Sequence, residues 1–229
     1  GILAAGGDDW LANTGTINVR SFKDGVVTGA TSDADADGDG IDGDGTIRSY
    51  ATTHLTVAGI DAGDGANRVL NAGDIDLDAR AHAQATGTVD ADAGGTASAI
   101  REARIGAHAR GIHTGSGADH VTNRGNIDVT TRADNNTGSG HITARATGIA
   151  TGAGNDTIVN DGTITATRIV NGASSRGTAI DAGAGDDVVE LLDASVTNGD
   201  IDLGSGSDVL SLTGTPTING GFLGASSSL

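Results

Sequence analysis

GIHTGSGADHVTNRGNIDV, Gly111–Val129, is the stretch on which the fold of this chain turns. Val121, Asn123 and Gly125, then Ile127 and Val129, share one parity, and mostly polar residues hold the other. A period of two is the mark of a strand with one covered face. Gly115 and Gly117 interrupt the alternation where the backbone must turn with positive φ, and Asn123 with Gly125 marks a second turn. The segment reads as strand, GxG turn, short strand, NxG turn, strand.

The same frame, GIxxGxGxDxΦxNxGxIxΦ with Φ apolar, recurs along the chain. It begins at Gly59, with Asn67 in place of the Asp, and at Gly148; Gly1 opens a looser copy with Asp9 at the acid position and Asn13 at the Asn position. Copies from Ala179 and Asp200 keep the turn glycines, the Asp and the apolar positions but lose the Asn. One such unit cannot bury its apolar edge alone, so neighbours must stack into a solenoid. The expected fold is all-β, a single parallel β-helix (β-solenoid) over residues 1–229, with right-handed coiling. Equivalent residues then lie one strand spacing apart, roughly 4.8 Å. One apolar ladder comprises Leu11, Val69, Val121, Ile158 and Val189, and a second Ile17, Ile75, Ile127 and Ile164.

The spacing between copy starts shrinks from 58 to 52, 37, 31 and finally 21 residues. Since 21 residues make one coil, the excess is insertion, always after the IxΦ strand and before the next GI. The inserts alternate too, as in ARAHAQATGTV from Ala79 and ARIGAHARGI from Ala103. They read as strand pairs extending sideways into a flange that shortens toward the C-terminus, with a full extra coil in each of the first two inserts as the alternative. Alanines 79, 81, 83 and 85 at inward parity imply a thin, flat interior.

Composition narrows the function classes. Glycine is 39 of 229 residues, well over twice the average usage of about 7%, and shows no collagen period. A formal charge of −17, from 30 acids against 13 Lys and Arg, repels nucleic acid and anionic lipid and favours cations. The acids are nearly all Asp, a hard oxygen ligand suited to calcium. Without cysteine there are no disulfides or thiolate metal sites. No run approaches the roughly 18 apolar residues of a membrane span, so membrane insertion is not expected. The opening GILAAGG, without Met or a signal peptide, reads as a mature piece or an excised segment.

The repeated turns TGSGADHV, TGAGNDTI, AGAGDDVV and LGSGSDVL resemble the calcium-binding nonapeptide of RTX proteins, GGxGxDx(apolar)x. That resemblance implies Asp119, Asp156, Asp187 and Asp208 as side-chain ligands of Ca2+, with Asp9 as a looser fifth. Stacked carboxylates also repel on their own account, and a divalent oxygen-loving ion between them relieves the repulsion. RTX nonapeptides follow one another directly, however, whereas here a single turn occurs per copy, so the β-roll site does not transfer whole. The competing reading is a β-turn formula with a self-capping Asp.

Within the first insert, SDADADGDGIDGDGT carries Asp33, Asp35, Asp37, Asp39, Asp42 and Asp44. Acids at positions 1, 3 and 5, Gly38 at 6 and Asp44 at 12 come close to the EF-hand loop formula. The stretch also resembles the calcium loops of thrombospondin type 3 repeats, and the acidic insert 33–46 is the better single metal site. A plain acidic hairpin tip is the alternative.

The recurring Asn13, Asn71, Asn123 and Asn160 suggest a structural amide ladder. Of the six histidines, 54, 82, 108, 113, 120 and 141, none sits in a nucleophile motif or a metal-spaced pair. Four aromatic residues are too few for stacking platforms. Such repeats resemble the passengers and stalks of bacterial surface proteins, including RTX adhesins and autotransporter passengers. That resemblance implies a secreted or cell-surface, non-enzymatic structural or adhesive segment rigidified by calcium. A calcium-dependent filament subunit, self-associating end to end, is the second reading. A β-helix acting on acidic polysaccharide is the third, and it requires a basic groove that 13 dispersed basic residues do not assemble in sequence. The tail GGFLGASSSL reads as a cap or a junction.

Overall fold

The computed structural model describes the backbone except at residues 5, 35–44, 92–96, 136–139, 225–226 and 229; side chains are described outside these and outside 25–50, 86–101 and 225–229. Each repeat copy forms one coil of three strands. The first holds β1 (Ile2–Leu3), β2 (Trp10–Asn13) and β3 (Thr16–Ala34); the second, β4 (Gly45–Asp61), β5 (Arg68–Asn71) and β6 (Asp74–Ala91). The third holds β7 (Ala97–His113), β8 (His120–Asn123) and β9 (Asn126–Asn135). In the fourth, β10 (Gly140–Ala150), β11 (Thr157–Asn160) and β12 (Thr163–Val170) are followed by the short β13 (Ala173–Arg176). The fifth has β14 (Thr178–Asp181), β15 (Val188–Leu191) and β16 (Val196–Asn198), and the sixth β17 (Asp200–Asp202), β18 (Asp208–Leu212) and β19 (Thr217–Ile218). The tail starts a seventh coil with β20 (Phe222–Leu223) and β21 (Ser227–Ser228).

Like strands stack into three parallel sheets, in the orders β1-β4-β7-β10-β14-β17-β20, β2-β5-β8-β11-β15-β18-β21 and β3-β6-β9-β12-β16-β19. This is the expected parallel solenoid, and the repeat frame sets its register. Leu11, Val69, Val121, Ile158 and Val189 are successive partners, as are Ile17, Ile75, Ile127 and Ile164. Both columns end in the continuous buried core. Terminal members are less covered: Phe222 continues the column of Ile180 and Ile201 yet stays 50% exposed.

The inserts extend sideways and add no coil. β3 pairs with β6 from Thr16↔Asp74 to Ala34↔Ala91, and β4 with β7 from Gly45↔Ala97 to Asp61↔His113. The outgoing strand of each pair is bonded to the coil above or below, while the returning strand packs across from it in the opposite sheet. Between them lies a layer of buried alanine, Ala51, Ala81, Ala83, Ala85, Ala103 and Ala107 among them. Such small side chains fill the narrow space between two close sheets. The flange shortens from the 19 residues of β3 to the 8 of β12. One outgoing strand does bond to its own return: β12 pairs antiparallel with β13 through Asn171 (φ 48) and Gly172 (φ 79). Two consecutive positive φ values are what an Asn-Gly hairpin turn supplies.

Inside the NxG turns, Asn13 Nδ2 donates to Asn71 Oδ1 at 2.7 Å, Asn71 to Asn123 at 2.8 Å and Asn123 to Asn160 at 2.8 Å. The expected amide ladder therefore spans four coils and stops where Leu191 stacks on Asn160.

Close stacking also explains why the GxG turns need glycine. Gly154 has φ 135, and a Cβ there would collide with the Gly117 carbonyl of the preceding coil. Gly172 also has positive φ but open space around it. Gly172→Ala is expected to cost about 1 kcal/mol of left-handed strain. Gly154→Ala adds a backbone collision and is expected to cost at least about 3 kcal/mol. Urea unfolding of the two variants measures the difference; equal losses would contradict the coil-to-coil packing.

Candidate functional site

Each GxG turn ends in an acid or amide that the fold turns inward. Asn67, Asp119, Asp156, Asp187 and Asp208 are all at least 97% buried, whereas Asp9, in the terminal coil, is partly exposed. One side-chain oxygen of each accepts the backbone N–H of its counterpart in the preceding coil. Asp9 donates to Asn67 Oδ1 at 3.1 Å and Asn67 to Asp119 Oδ1 at 2.7 Å. Asp119 donates to Asp156 and Asp156 to Asp187 at 2.8 Å each, then Asp187 to Asp208 at 3.1 Å. The column therefore runs unbroken through six coils.

The second carboxylate oxygen has a different environment. Oδ2 of Asp119, Asp156, Asp187 and Asp208 is buried without a hydrogen-bond partner. Asn67 shows what surrounds that position. Its Nδ2, the counterpart of Oδ2, donates to the carbonyls of Gly63 at 2.9 Å, Gly65 at 3.0 Å and Thr114 at 3.1 Å. By the repeat register the equivalent carbonyls around Asp119 belong to Gly115, Gly117 and Thr151. A carboxylate oxygen placed among carbonyl oxygens meets acceptors, which is unfavourable for a bare anion. Two things relieve it: a proton, which makes the group isosteric with Asn67, or a hard cation that the same oxygens can ligate.

Burial pushes the Asp187 carboxyl up to about 6, helped by the neighbouring carboxylates of Asp156, Asp208 and Asp186 and opposed by the Asp156 N–H. Burial raises Asp156 as well; the Asp119 N–H and the Thr151 hydroxyl oppose it, and the Asp119 carboxylate adds to it.

The structure brings Asp119, Asp156, Asp187 and Asp208 together in one file, with Asp9 at its N-terminal end. No group of three or more His, Asp or Glu side chains converges on one point among the described residues. The backbone of Asp33 pairs with Asp90 near the tip of the flange. Asp35, Asp37, Asp39, Asp42 and Asp44 lie outside the described residues. Sequence reasoning did not anticipate the inward turn of the acids or the carbonyl cage; Asn67, interchangeable with Asp in the same frame, was the available signal that this position sits among acceptors. No protein family, curated protein or solved structure matches this chain.

A pH dependence follows. The ordinary value of Asp187 is 3.8 and its folded value about 6, so the folded state binds the proton more tightly between these limits. In calcium-free buffer Asp187 therefore adds stability that is fully present below about 3.8 and is lost as pH rises through about 6. Asp187→Asn mimics the protonated form, so it is expected to match or exceed the parent's stability at pH 7 and to flatten the dependence between pH 4 and 7. Chemical denaturation across that range checks both, and a destabilised variant with unchanged pH dependence would contradict the carbonyl cage.

Proposed function

We propose that this chain is an extracellular structural or adhesive segment of a secreted or cell-surface bacterial protein, a rod that calcium stiffens. The observation that carries the reading is the file of four buried, partnerless Asp Oδ2 atoms. Consecutive coils lie about 4.8 Å apart, about twice a calcium–oxygen distance of about 2.4 Å. An ion between neighbouring Oδ2 atoms is thereby in reach of both and of the turn carbonyls. A net charge of −17 raises the local concentration of cations around the rod. The acidic insert with Asp33, Asp35, Asp37, Asp39 and Asp44 offers a second, separate calcium loop by its resemblance to known calcium-binding loops. Binding to the folded state alone stabilises it by mass action. In a low-calcium cell interior the rod stays weakly folded, and it stiffens on export.

A filament subunit is the second reading. Its support is apolar surface on the last coils described, where Phe222 and Leu212 occupy core columns yet remain 50% and 49% exposed. This surface fits the end of another solenoid, of this chain or of one like it.

Thermal unfolding in calcium and in EDTA tests the reading. Calcium is expected to raise Tm by at least about 8 °C, which corresponds to roughly 3 kcal/mol in a domain of this size, with magnesium much less effective. An Asp119→Asn/Asp156→Asn/Asp187→Asn variant is expected to lose most of the rise. Identical melts in calcium and EDTA would sink the calcium reading and leave the solenoid standing. Sedimentation of the same samples separates a monomeric rod from a filament.

A further inference from the structure

The outer face of the sheet β4-β7-β10-β14 gathers positive side chains that the sequence keeps far apart. One rung across the strands holds Thr52, Arg104 and His141, the next but one Thr56, His108 and Arg145, and the next after that Ala58, Arg110, Thr147 and Thr178. Arg104, Arg110 and Arg145 are exposed. Among the described residues the arginine ion pairs are Arg80–Asp78 and Arg132–Asp134, both on the opposite sheet. None of the three arginines of this face is among these ion pairs, although Arg110 acts on the carboxylate of Asp181 through space. In a chain this acidic, what sets the face apart is that the register brings these guanidinium groups onto neighbouring strands.

The face ends in a notch that the taper creates. β14 has 4 residues where β10 has 11, so the sheet steps down and uncovers the interior side of β12. Arg168 shares the inward parity of Ile164 and Ala166 but is exposed for that reason, and its Nε donates to Ser175 Oγ at 2.9 Å. The notch is a cavity of about 250 Å³ bordered by His108, Arg110, Arg145, Thr147, Arg168 and Asp181. Three guanidinium groups face one carboxylate there. Burial holds His108 below its ordinary value, and the charges of His54, Arg145 and Arg110 add to it.

A second, open cavity of about 310 Å³ shares His108 and Arg145 with the notch and continues over His54, Arg104 and His141. From Arg104 to Arg110 the trough follows six residues of extended strand, about 20 Å. A lone oxyanion would fill only the notch. A linear ligand with several anionic groups would engage the whole trough, and the threonine hydroxyls between the cations are hydrogen-bonding partners for sugar hydroxyls. Guanidinium forks match carboxylate and sulfate geometry. The aromatic rings among the described side chains of this face are those of histidine.

We propose that this face binds an anionic glycan, with one carboxylate or sulfate group seated in the notch among Arg110, Arg145 and Arg168. The site shares no residue with the buried Asp column, so it stands or falls independently of calcium.

Isothermal titration tests it with five probes: a galacturonate hexamer, a sulfated hexasaccharide, a neutral hexasaccharide, inorganic sulfate and a single-stranded oligonucleotide. At least one anionic hexamer is expected to bind, the neutral one not at all, and sulfate at least tenfold more weakly. Arg110→Ala/Arg145→Ala should weaken hexamer binding at least tenfold, whereas Arg80→Ala/Arg132→Ala on the opposite sheet should change it less than twofold. All four arginines have exposed or half-buried side chains, and an unchanged melting temperature verifies that each variant folds. Failure of both anionic hexamers to bind, equal binding of the neutral one, equal loss in both double variants, or tighter binding of a single-stranded oligonucleotide would each overturn the proposal. Sulfate binding as tightly as the hexamers would overturn the glycan and leave a site for a small anion.

Discussion

The hydrogen bond from a turn amide to the side-chain oxygen of the Asp or Asn one coil on is the contact on which the rest of the structure depends. Five such bonds link Asp9, Asn67, Asp119, Asp156, Asp187 and Asp208. Each fixes the register of one coil on the next at the point where the chain changes direction. A slip by one residue would turn every inward side chain outward, and the core columns of isoleucine and valine would lose their cover. The glycines beside the column permit the close approach, since a Cβ at Gly117 or Gly154 would strike the neighbouring turn. Sequence pattern, turn geometry and core packing therefore agree on one stacking.

The same contact creates the chemistry. Using one oxygen of each Asp to hold the neighbouring amide leaves the other buried, and burial together with the neighbouring carboxylates raises the proton affinity of Asp156 and Asp187. Hence the column is a place where protons and hard cations compete. The flange is built on a different balance. Alanine fills its interior, so it gains little apolar burial per residue, and its long strands rely on parallel bonding to their neighbours. Because β14 stops after four residues, Arg168 and the Arg110–Arg145 pair come to border one notch.

Much of this was legible in the sequence. The strand ladders, the GxG and NxG turns and the sideways inserts follow from alternation and from a repeat frame that survives substitution at Asn67 and Asp9. The amide ladder followed from Asn at one frame position. Other features were not legible. Alternation does not say whether a residue directly after a GxG turn points in or out, so the burial of Asp119 and Asp156 had no signal in parity alone. The basic face needed the register of the inserts: Arg104 meets His141 and His108 meets Arg145 only when 37 residues of intervening chain are removed. The β12–β13 hairpin carries a local signal, Asn171–Gly172, that lies outside the repeat frame.

The account is tested most directly by amide hydrogen exchange, read residue by residue by NMR. Turn amides ordinarily exchange fast, but those of Asn67, Asp119, Asp156 and Asp187 are bonded within the core. They are expected to exchange only through opening of the solenoid, as slowly as Val121 and Ile158 in the adjoining strands. Fast exchange at these four amides, with the strands still protected, would contradict a fold held in register by its turn column.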